Sequence, residues 1–340
     1  MTTENATTAM NSNQPSEMAR QWHYRPDVPI QVSPLLSWPL SPRRIAEWIA
    51  KRWLRLAENS ILVVVATLTW FYFQPPLDVT KTLAFDWVAA MYIRNLIMIV
   101  AVAGGLHLYF YRFRRQGDFR LFDSRPLKTK SRVFTFNDQV LDNVFWSVAS
   151  GVTFWTAYEV LMLWAMANGY VPVLRWDDNP LWFGALLFLT PIWISFHFYW
   201  VHLWLHWPPA YRLAHALHHR NINVGPWSGL SMHPLEHLIF FSSILIHGVI
   251  AAHPIHILFH MQHQALTAAT SHTGFENLNI GNKSWLGLGT FHHQMHHRYF
   301  ECNYGNLEMP IDKWAGSFHD GTDQSHEVMK ERRRQMMSGS

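Results

Sequence analysis

The residues of this sequence best suited to chemistry are its histidines. Of 22 His, 18 fall between His197 and His297, and three groups there have ligand-like spacing: His202-Leu-Trp-Leu-His206, His215-Ala-Leu-His218-His219 and His293-Gln-Met-His296-His297. On an α-helix, positions i, i+3 and i+4 project from one face, so each group can aim two or three imidazoles at a common point. Neutral imidazole is the commonest protein metal ligand because it offers a lone pair without the desolvation cost of a charged side chain. The HxxxH pair alone reads equally as an interfacial or structural pair. Two copies of HxxHH in one chain are hard to reach by chance, and the three groups together read as a metal site. His247, His253, His256, His260 and His263 follow no such pattern and are read as packing or interfacial residues.

Eight imidazoles in three groups exceed what one tetrahedral or octahedral ion needs and imply two metal ions. Imidazole suits iron, zinc, copper and nickel alike. A His-rich two-metal site against a lipid phase is suited to activating O2 for attack on C–H bonds, and this favours iron. The single Cys302 excludes a disulfide framework and a thiolate site within one chain. No GxGxxG fingerprint follows a strand and no Cys cluster could hold an iron–sulfur centre, so electrons must come from a separate reductase, ferredoxin or cytochrome.

The elements that must position these residues are apolar. Of 340 residues, 49% are hydrophobic and 15% aromatic, and only 15% are Asp, Glu, Lys or Arg. A typical soluble domain has roughly 25% of the last group. The mean hydropathy of −0.04 conceals this, because His counts as strongly polar. Residues 1–40, rich in Thr, Asn, Gln, Ser and Pro, read as a mobile tail. Apolar stretches at 61–73, 96–111, 144–168 and 182–201 read as four crossings. The first two must extend to their flanking aromatics to cover the ~30 Å hydrocarbon core. Residues 237–275 hold seven His and no Asp, Glu, Lys or Arg, and Pro254 divides them into two arms that suit a re-entrant hairpin.

Basic clusters sit beside the apolar segments: Arg43, Arg44, Lys51, Arg52 and Arg55; then Arg112, Arg114, Arg115, Arg120, Arg125, Lys128, Lys130 and Arg132; and finally Lys330, Arg332, Arg333 and Arg334. With a net charge of +4, this is read as positive-inside topology, with no nucleic-acid partner. The Arg112 to Arg132 loop could also dock an acidic electron carrier. The expected fold is therefore all-α. It comprises a tail (1–40), membrane-anchoring helices with a basic loop (41–180), a catalytic region (181–322) and a basic C-terminal tail (323–340). A membrane bundle of about four transmembrane helices plus the re-entrant hairpin carries a His-rich di-metal site on the cytoplasmic side. A bacterial inner membrane is favoured over the endoplasmic reticulum, the chain ending Met-Ser-Gly-Ser without a KDEL-type address.

The box series HxxxH, HxxHH and HxxHH, with membrane segments before and between, resembles the fatty acid hydroxylase and sterol desaturase superfamily of integral-membrane di-iron oxidoreductases over about 196–322. His233-Pro-Leu-Glu236 is similar to the family's HPxE segment, and Ser271-His272-Thr-Gly-Phe275 resembles its HSGY-like stretch. Asn303-Tyr304-Gly305, then Asp312-Lys313-Trp314 and Gly316, resemble its NYG and WDxxFGT ending. Two departures stand out: His202 is followed by Leu203 where the family usually has Arg, and Trp314 follows Asp312 by two positions. The resemblance implies His202, His206, His215, His218, His219, His293, His296 and His297 as metal-binding and catalytic residues, with His272 as a ninth. It also suggests a tenth, for which His233, His237 and His263 are candidates. His292 points to a different helix face from the third box and is read as supporting it. Glu236, Glu276 and Asp312 could hold the Nδ1–H of ligating imidazoles.

The expected activity is an O2-dependent, two-iron (Fe2+/Fe3+) hydroxylation of an unactivated C–H bond in a lipid. Desaturation by the same site is the runner-up. The substrate could be a sterol, fatty acyl chain, sphingoid base, carotenoid or smaller amphiphile. A membrane metal transporter is a reading of another class, but it would scatter its polar residues through the bilayer, whereas the boxes gather at one side. A zinc hydrolase is weaker still, for HExxH is absent.

Overall fold

Long apolar segments can be buried only against one another or against lipid, and this chain does both. The computed structural model describes residues 17–54 and 56–338. Helices dominate: α1 (Glu17–Gln21), α2 (Pro42–Ile49), α3 (Glu58–Tyr72), α4 (Phe85–Arg112), α5 (Gln139–Trp146), α6 (Thr153–Ala167) and α7 (Pro180–Leu205). They are followed by α8 (Pro234–Phe240), α9 (Pro254–Ser271), the antiparallel hairpin β1 (Asn277–Ile280) and β2 (Lys283–Gly287), then α10 (Phe291–Tyr299), α11 (Ile311–Ala315) and α12 (Asp323–Ser338).

Among the described residues three helical stretches are long and apolar enough to cross a membrane: Pro42–Tyr72, Phe85–Arg112 and Pro180–Leu205. The third expected crossing, 144–168, forms the α5–α6 helix pair, joined by a π-helical turn over Ser147–Val152, but is not one of these stretches. Its inner side is polar. Glu159 on α6 is buried in an ion pair with Arg94 of α4, and its Oε1 accepts from Trp155 Nε1 at 2.7 Å. Arg55 of the first basic cluster lies outside the described residues.

Of the two arms of the expected re-entrant hairpin, the second is buried inside the protein, whereas the first leaves Leu235, Leu238, Leu245 and Val249 exposed. The first is α8 and a 3-10 stretch, Phe241–Gly248, and the second is α9. Uncharged α9 runs through the main core against α3, α6 and α7. Its polar side chains find partners: His263 Nε2 meets Asn59 Oδ1 at 3.1 Å, Gln262 donates to Thr69 Oγ1 at 3.1 Å and His260 Nε2 meets Ser243 Oγ at 2.8 Å. Buried polar groups partnered in this way do not oppose burial. Gly229, in the turn Pro226–Leu230, lies so close to α9 that a Cβ there would come within 2.0 Å of the Ala268 carbonyl oxygen.

Residues 17–38 form a strap, in contrast to the mobile tail expected over 1–40; residues 1–16 lie outside the described residues. Met18 and Trp22 are buried with Phe122, Phe291 and Met295. The strap backbone donates from His23 to Phe122 at 2.9 Å, from Ile30 to Asp320 at 2.8 Å and from Ser33 to Leu307 at 2.9 Å. A polar composition does not prevent this, since a few apolar anchors with paired backbone groups suffice to hold the segment. The C-terminal segment 323–338 is helical.

Candidate metal centre

Four parts of the chain bring the box histidines together. Pro180 at the first turn and Asn179, which accepts from Trp182 N at 2.9 Å, start α7. The helix ends at His206, just before Pro208 and Pro209, and so presents His202 and His206 one turn apart. A π-helical turn, Tyr211–His215, and a 3-10 turn, His218–Arg220, carry the second box, while α10 carries the third and His272 caps the C-terminal end of α9.

All nine candidate residues fall into two groups: His202, His206, His215, His219 and His296 in one, and His218, His272, His293 and His297 in the other. Within each group the nearest ring nitrogens lie within 4.8 Å of one another. Each HxxHH box is therefore divided. Positions i and i+4 of the second box serve the first group while its middle His218 serves the second; in the third box the pair His293 and His297 serves the second group and His296 the first. Only His206 of the nine is half-buried; the other eight are buried.

Wherever two of these rings approach each other, the facing atoms are Nε2. His202 and His215 approach at 3.0 Å, His206 and His296 at 3.2 Å, and His219 and His296 at 3.1 Å. In the second group His272 lies 3.0 Å from His293 and 3.1 Å from His297, and His293 lies 3.2 Å from His297. Two nitrogens ~2.1 Å from one ion and roughly 90–110° apart are separated by about 3.0–3.4 Å, so these spacings suit a shared coordination sphere.

Five of the Nδ1 atoms meet a hydrogen-bond partner on the outward side. His202 donates to the Tyr304 carbonyl at 2.6 Å, His296 to that of Cys302 at 2.7 Å, and His272 to that of Ala268 at 2.7 Å. His218 Nδ1 is 3.3 Å from the Ser231 carbonyl, and His215 Nδ1 is 2.7 Å from Glu236 Oε1. A carbonyl only accepts, so the proton is on Nδ1 and the lone pair on Nε2. With Glu236 ionised and accepting from His215 Nδ1, the Nε2 lone pairs of His202 and His215 face each other at 3.0 Å, an arrangement that a shared cation stabilises. The residues therefore fit two metal ions, and an all-nitrogen donor set favours a transition metal over calcium or magnesium.

Burial pushes His215, His219, His293, His296 and His297 well below the ordinary imidazole value, and neighbouring imidazoles add to it. Burial likewise lowers His218 to about 4 and His272 to about 3. All are thus neutral near pH 7, the form that binds metal. Burial also pushes the Glu236 carboxyl well above the carboxylate range. A cation held through His215 would oppose that shift and keep Glu236 ionised as acceptor.

The loop after α10 aims two of the carbonyls. Phe300 has φ 70° and Asn303 φ 58°, left-handed values that turn the chain sharply. Asn303 braces the turn by donating to His292 O at 3.0 Å and His319 O at 3.1 Å. Asp312 accepts from Tyr304 N at 2.9 Å, Gly305 N at 2.7 Å and Ser317 Oγ at 2.6 Å. Of the three acids expected to hold imidazoles, Glu236 touches one directly and Asp312 acts through the Tyr304 loop. Glu276 does neither, being paired with Arg120 and accepting from Tyr24 OH at 2.8 Å.

His292 stands outside both groups, its Nε2 4.0 Å from Asp312 Oδ2. None of the tenth-ligand candidates joins a group either: His233 caps α8, His237 Nδ1 meets Ser150 Oγ at 2.8 Å, and His263 bonds Asn59. Sequence reading missed the main-chain carbonyls that fix the tautomers, since every residue has one. It also missed Phe300, whose ring lies 4.6 Å from His219.

Residues 187–317 match the fatty acid hydroxylase family. The chain is similar to a Delta(7)-sterol 5(6)-desaturase of Candida albicans, 31% identical over 166 residues, which are 46% of this chain and 41% of that protein. A Saccharomyces cerevisiae protein of the same description is 30% identical over 130 residues, 37% of this chain and 33% of its own length. A Delta(7)-sterol-C5(6)-desaturase of Nicotiana tabacum is 25% identical over 182 residues, 51% of this chain and 65% of its own. The matches to the fungal proteins thus span about two fifths or less of those relatives. No solved structure matches the chain.

Proposed function

We propose, from the premise that residues 187–317 belong to the fatty acid hydroxylase and sterol desaturase superfamily, that this chain is a membrane oxidoreductase with a di-metal centre that oxidises C–H bonds of a lipid. The observation behind this reading is the set of inward Nε2 lone pairs, locked by outward Nδ1–H bonds and gathered into two groups beside apolar helices. His202, His206, His215, His219 and His296 would hold one ion, and His218, His272, His293 and His297 the other. Two iron ions would supply reductive activation of O2 for hydrogen abstraction from an unactivated carbon.

The chain's own part is positional. Main-chain carbonyls and Glu236 hold the Nδ1 of His202, His215, His218, His272 and His296, α9 and α7 exclude water from the apolar side, and the spanning helices would set the centre beside the bilayer in which a lipid substrate is dissolved. We favour desaturation over hydroxylation and a sterol-like substrate, because the curated relatives are described as sterol desaturases. Desaturation takes two hydrogens from adjacent carbons and, with O2, two external electrons and two protons, yields an alkene and two waters. Hydroxylation uses the same inputs and yields an alcohol and one water. A cytoplasmic position for the centre accords with the basic clusters beside the apolar segments.

Metal analysis of purified protein should find close to two irons per chain. Mass spectrometry of sterol extracts incubated with protein, reductant and O2 should show loss of two hydrogens; gain of one oxygen would favour hydroxylation instead. His218→Ala should lower the metal content towards one ion and abolish turnover, because the second group has only four members. Full turnover by metal-stripped protein would defeat the reading.

A further inference from the structure

Between α4 and α5 the chain closes a small loop, 128–139, by pairing its own backbone. Thr129 bridges to Asp138, Gln139 N donates to Lys128 O at 2.9 Å and Ser131 N donates to Asn137 O at 2.7 Å. Lys130 and Asn137 take left-handed values, φ 60° and φ 58°, which turn the chain on either side of the tip, and Phe134 is buried beneath it. We propose that this loop and the outer face of α5 form a binding site for anionic phospholipid headgroups at the membrane boundary. The inference rests on the membrane placement of α4 and is independent of the metal chemistry.

Charge on the loop is of one sign where it meets solvent. Lys128, Lys130 and Arg132 are exposed and have no acidic partner among the described residues. The two nearby acids are turned to the protein instead. Asp138 caps α5 by accepting from Val140 N and Leu141 N, both at 2.9 Å, and buried Asp142 accepts from Thr135 N at 3.0 Å and pairs with Arg220. Apolar side chains stand beside the cations. Val133 and Phe136 are exposed on the loop, and Leu141 and Phe145, one turn apart on α5, are 61% and 43% exposed. The rings of Phe136 and Phe145 meet at 5.2 Å, so loop and helix present one joined surface.

The fold puts this surface at the level of the headgroups. α6 runs antiparallel to spanning helix α4, as the contacts Asn95–Thr156 and Thr80–Leu163 show. The start of α5 therefore stands beside the Arg112 end of α4, where the apolar stretch gives way to basic residues. Cations at that depth attract an anionic leaflet, and apolar side chains next to them enter its hydrocarbon edge. An acidic soluble protein would match the three cations, but it would leave four apolar side chains to find separate cover. A lipid supplies a phosphate and a hydrocarbon chain within one molecule, and the surface offers partners for both.

Two measurements test the site on the full chain. Native mass spectrometry of protein taken from bilayers of equal phosphatidylglycerol and phosphatidylcholine counts the lipids retained. Wild type should be enriched in phosphatidylglycerol, K128E/K130E/R132E should lower that enrichment roughly tenfold, and K128Q/K130Q/R132Q, which only removes charge and guards against misfolding, should lower it by less. R332E/R333E on α12 should leave it unchanged. For depth, Phe136→Cys takes a bimane label specifically, because the natural Cys302 is buried. Doxyl lipids should quench that label more strongly in phosphatidylglycerol nanodiscs than in phosphatidylcholine ones. Enrichment that survives in both loop variants, an equal loss in R332E/R333E, or equal quenching in the two discs would overturn the inference. A label unquenched in either disc would place the loop in water, as docking of an acidic protein requires, and would overturn it too. Neither readout involves turnover or bound metal, so failure of the di-metal reading would leave these results unchanged.

Discussion

Glu236 differs from the other groups that hold the outward edge of a candidate ligand, because it brings a negative charge where Tyr304, Cys302, Ser231 and Ala268 bring carbonyls. A carboxylate behind imidazole makes Nε2 a stronger donor and offsets cationic charge at the ion. Its Oε2 is buried without a hydrogen-bond partner, a desolvation cost that a nearby cation would offset. Glu236→Gln retains an acceptor for His215 Nδ1–H and loses the charge, whereas Glu236→Ala loses both. Glu236→Ala should weaken metal binding by about 10–100-fold, with Glu236→Gln falling between it and wild type. Competition with a chromogenic chelator measures both. Equal affinity in all three proteins would mean that Glu236 serves packing alone.

At the scale of elements, the division of each HxxHH box between two groups explains why three histidines recur where one ion would need two. Residues i and i+4 share one side of a turn, and i+3 is offset towards the other ion. The spacing of the boxes was legible, being local, but their division was not, for each box was expected to aim its imidazoles at a common point. Nor was the pairing of boxes, since it depends on how α7, α9, α10 and the 211–220 turns meet. Glu276, a candidate to hold a ligating imidazole, instead faces Arg120. The third crossing was inferred from apolar run length, which does not register that Glu159 forms an ion pair with Arg94 of spanning helix α4; 144–168 is not among the three stretches long and apolar enough to cross. The turn at Pro226–Leu230 is another non-local contact, and it permits a sharp test. Gly229→Ala places a methyl 2.0 Å from Ala268 O and must push the turn off α9. Since Ser231 follows directly and holds His218, the variant should lose ~1–3 kcal/mol of stability. It should also release metal faster from the four-membered group. Calorimetry and chelator-release rates check the two effects, and a variant as stable as wild type would show that the turn can move freely.

Over the whole molecule, the strap ties the start of the described chain to its end across the helix that bears the third box. His319 lies in this seam, buried, with Tyr299 stacked 5.7 Å away and His326 5.8 Å away. Burial, reinforced by His326 and opposed by Asp320, lowers its imidazole to about 4. The unfolded chain takes up that proton near pH ~6.5 and the folded chain refuses it, so this contribution to stability is present above ~6.5 and declines as the pH falls towards ~4. Protection factors in 318–326, which compare exchange with the intrinsic rate at each pH, should fall on acidification, and His319→Gln should flatten the dependence. Trp22 is the apolar counterpart of this seam: 6% exposed, edge-on to Phe291 at 4.8 Å, with the Arg298 guanidinium 4.4 Å from its ring. Truncation to Ala removes buried surface worth ~3–5 kcal/mol. Because Phe291 and Met295 alternate along α10 with His293, His296 and His297, the loosened helix no longer holds its imidazoles rigidly. Trp22→Ala should therefore raise hydrogen exchange along α10 and speed metal release from both groups, while Trp22→Phe, which keeps most of the apolar contact, should stay close to wild type. Faster exchange in the strap with unchanged metal release would mean that α10 is held by the core beneath it and that the strap only covers it.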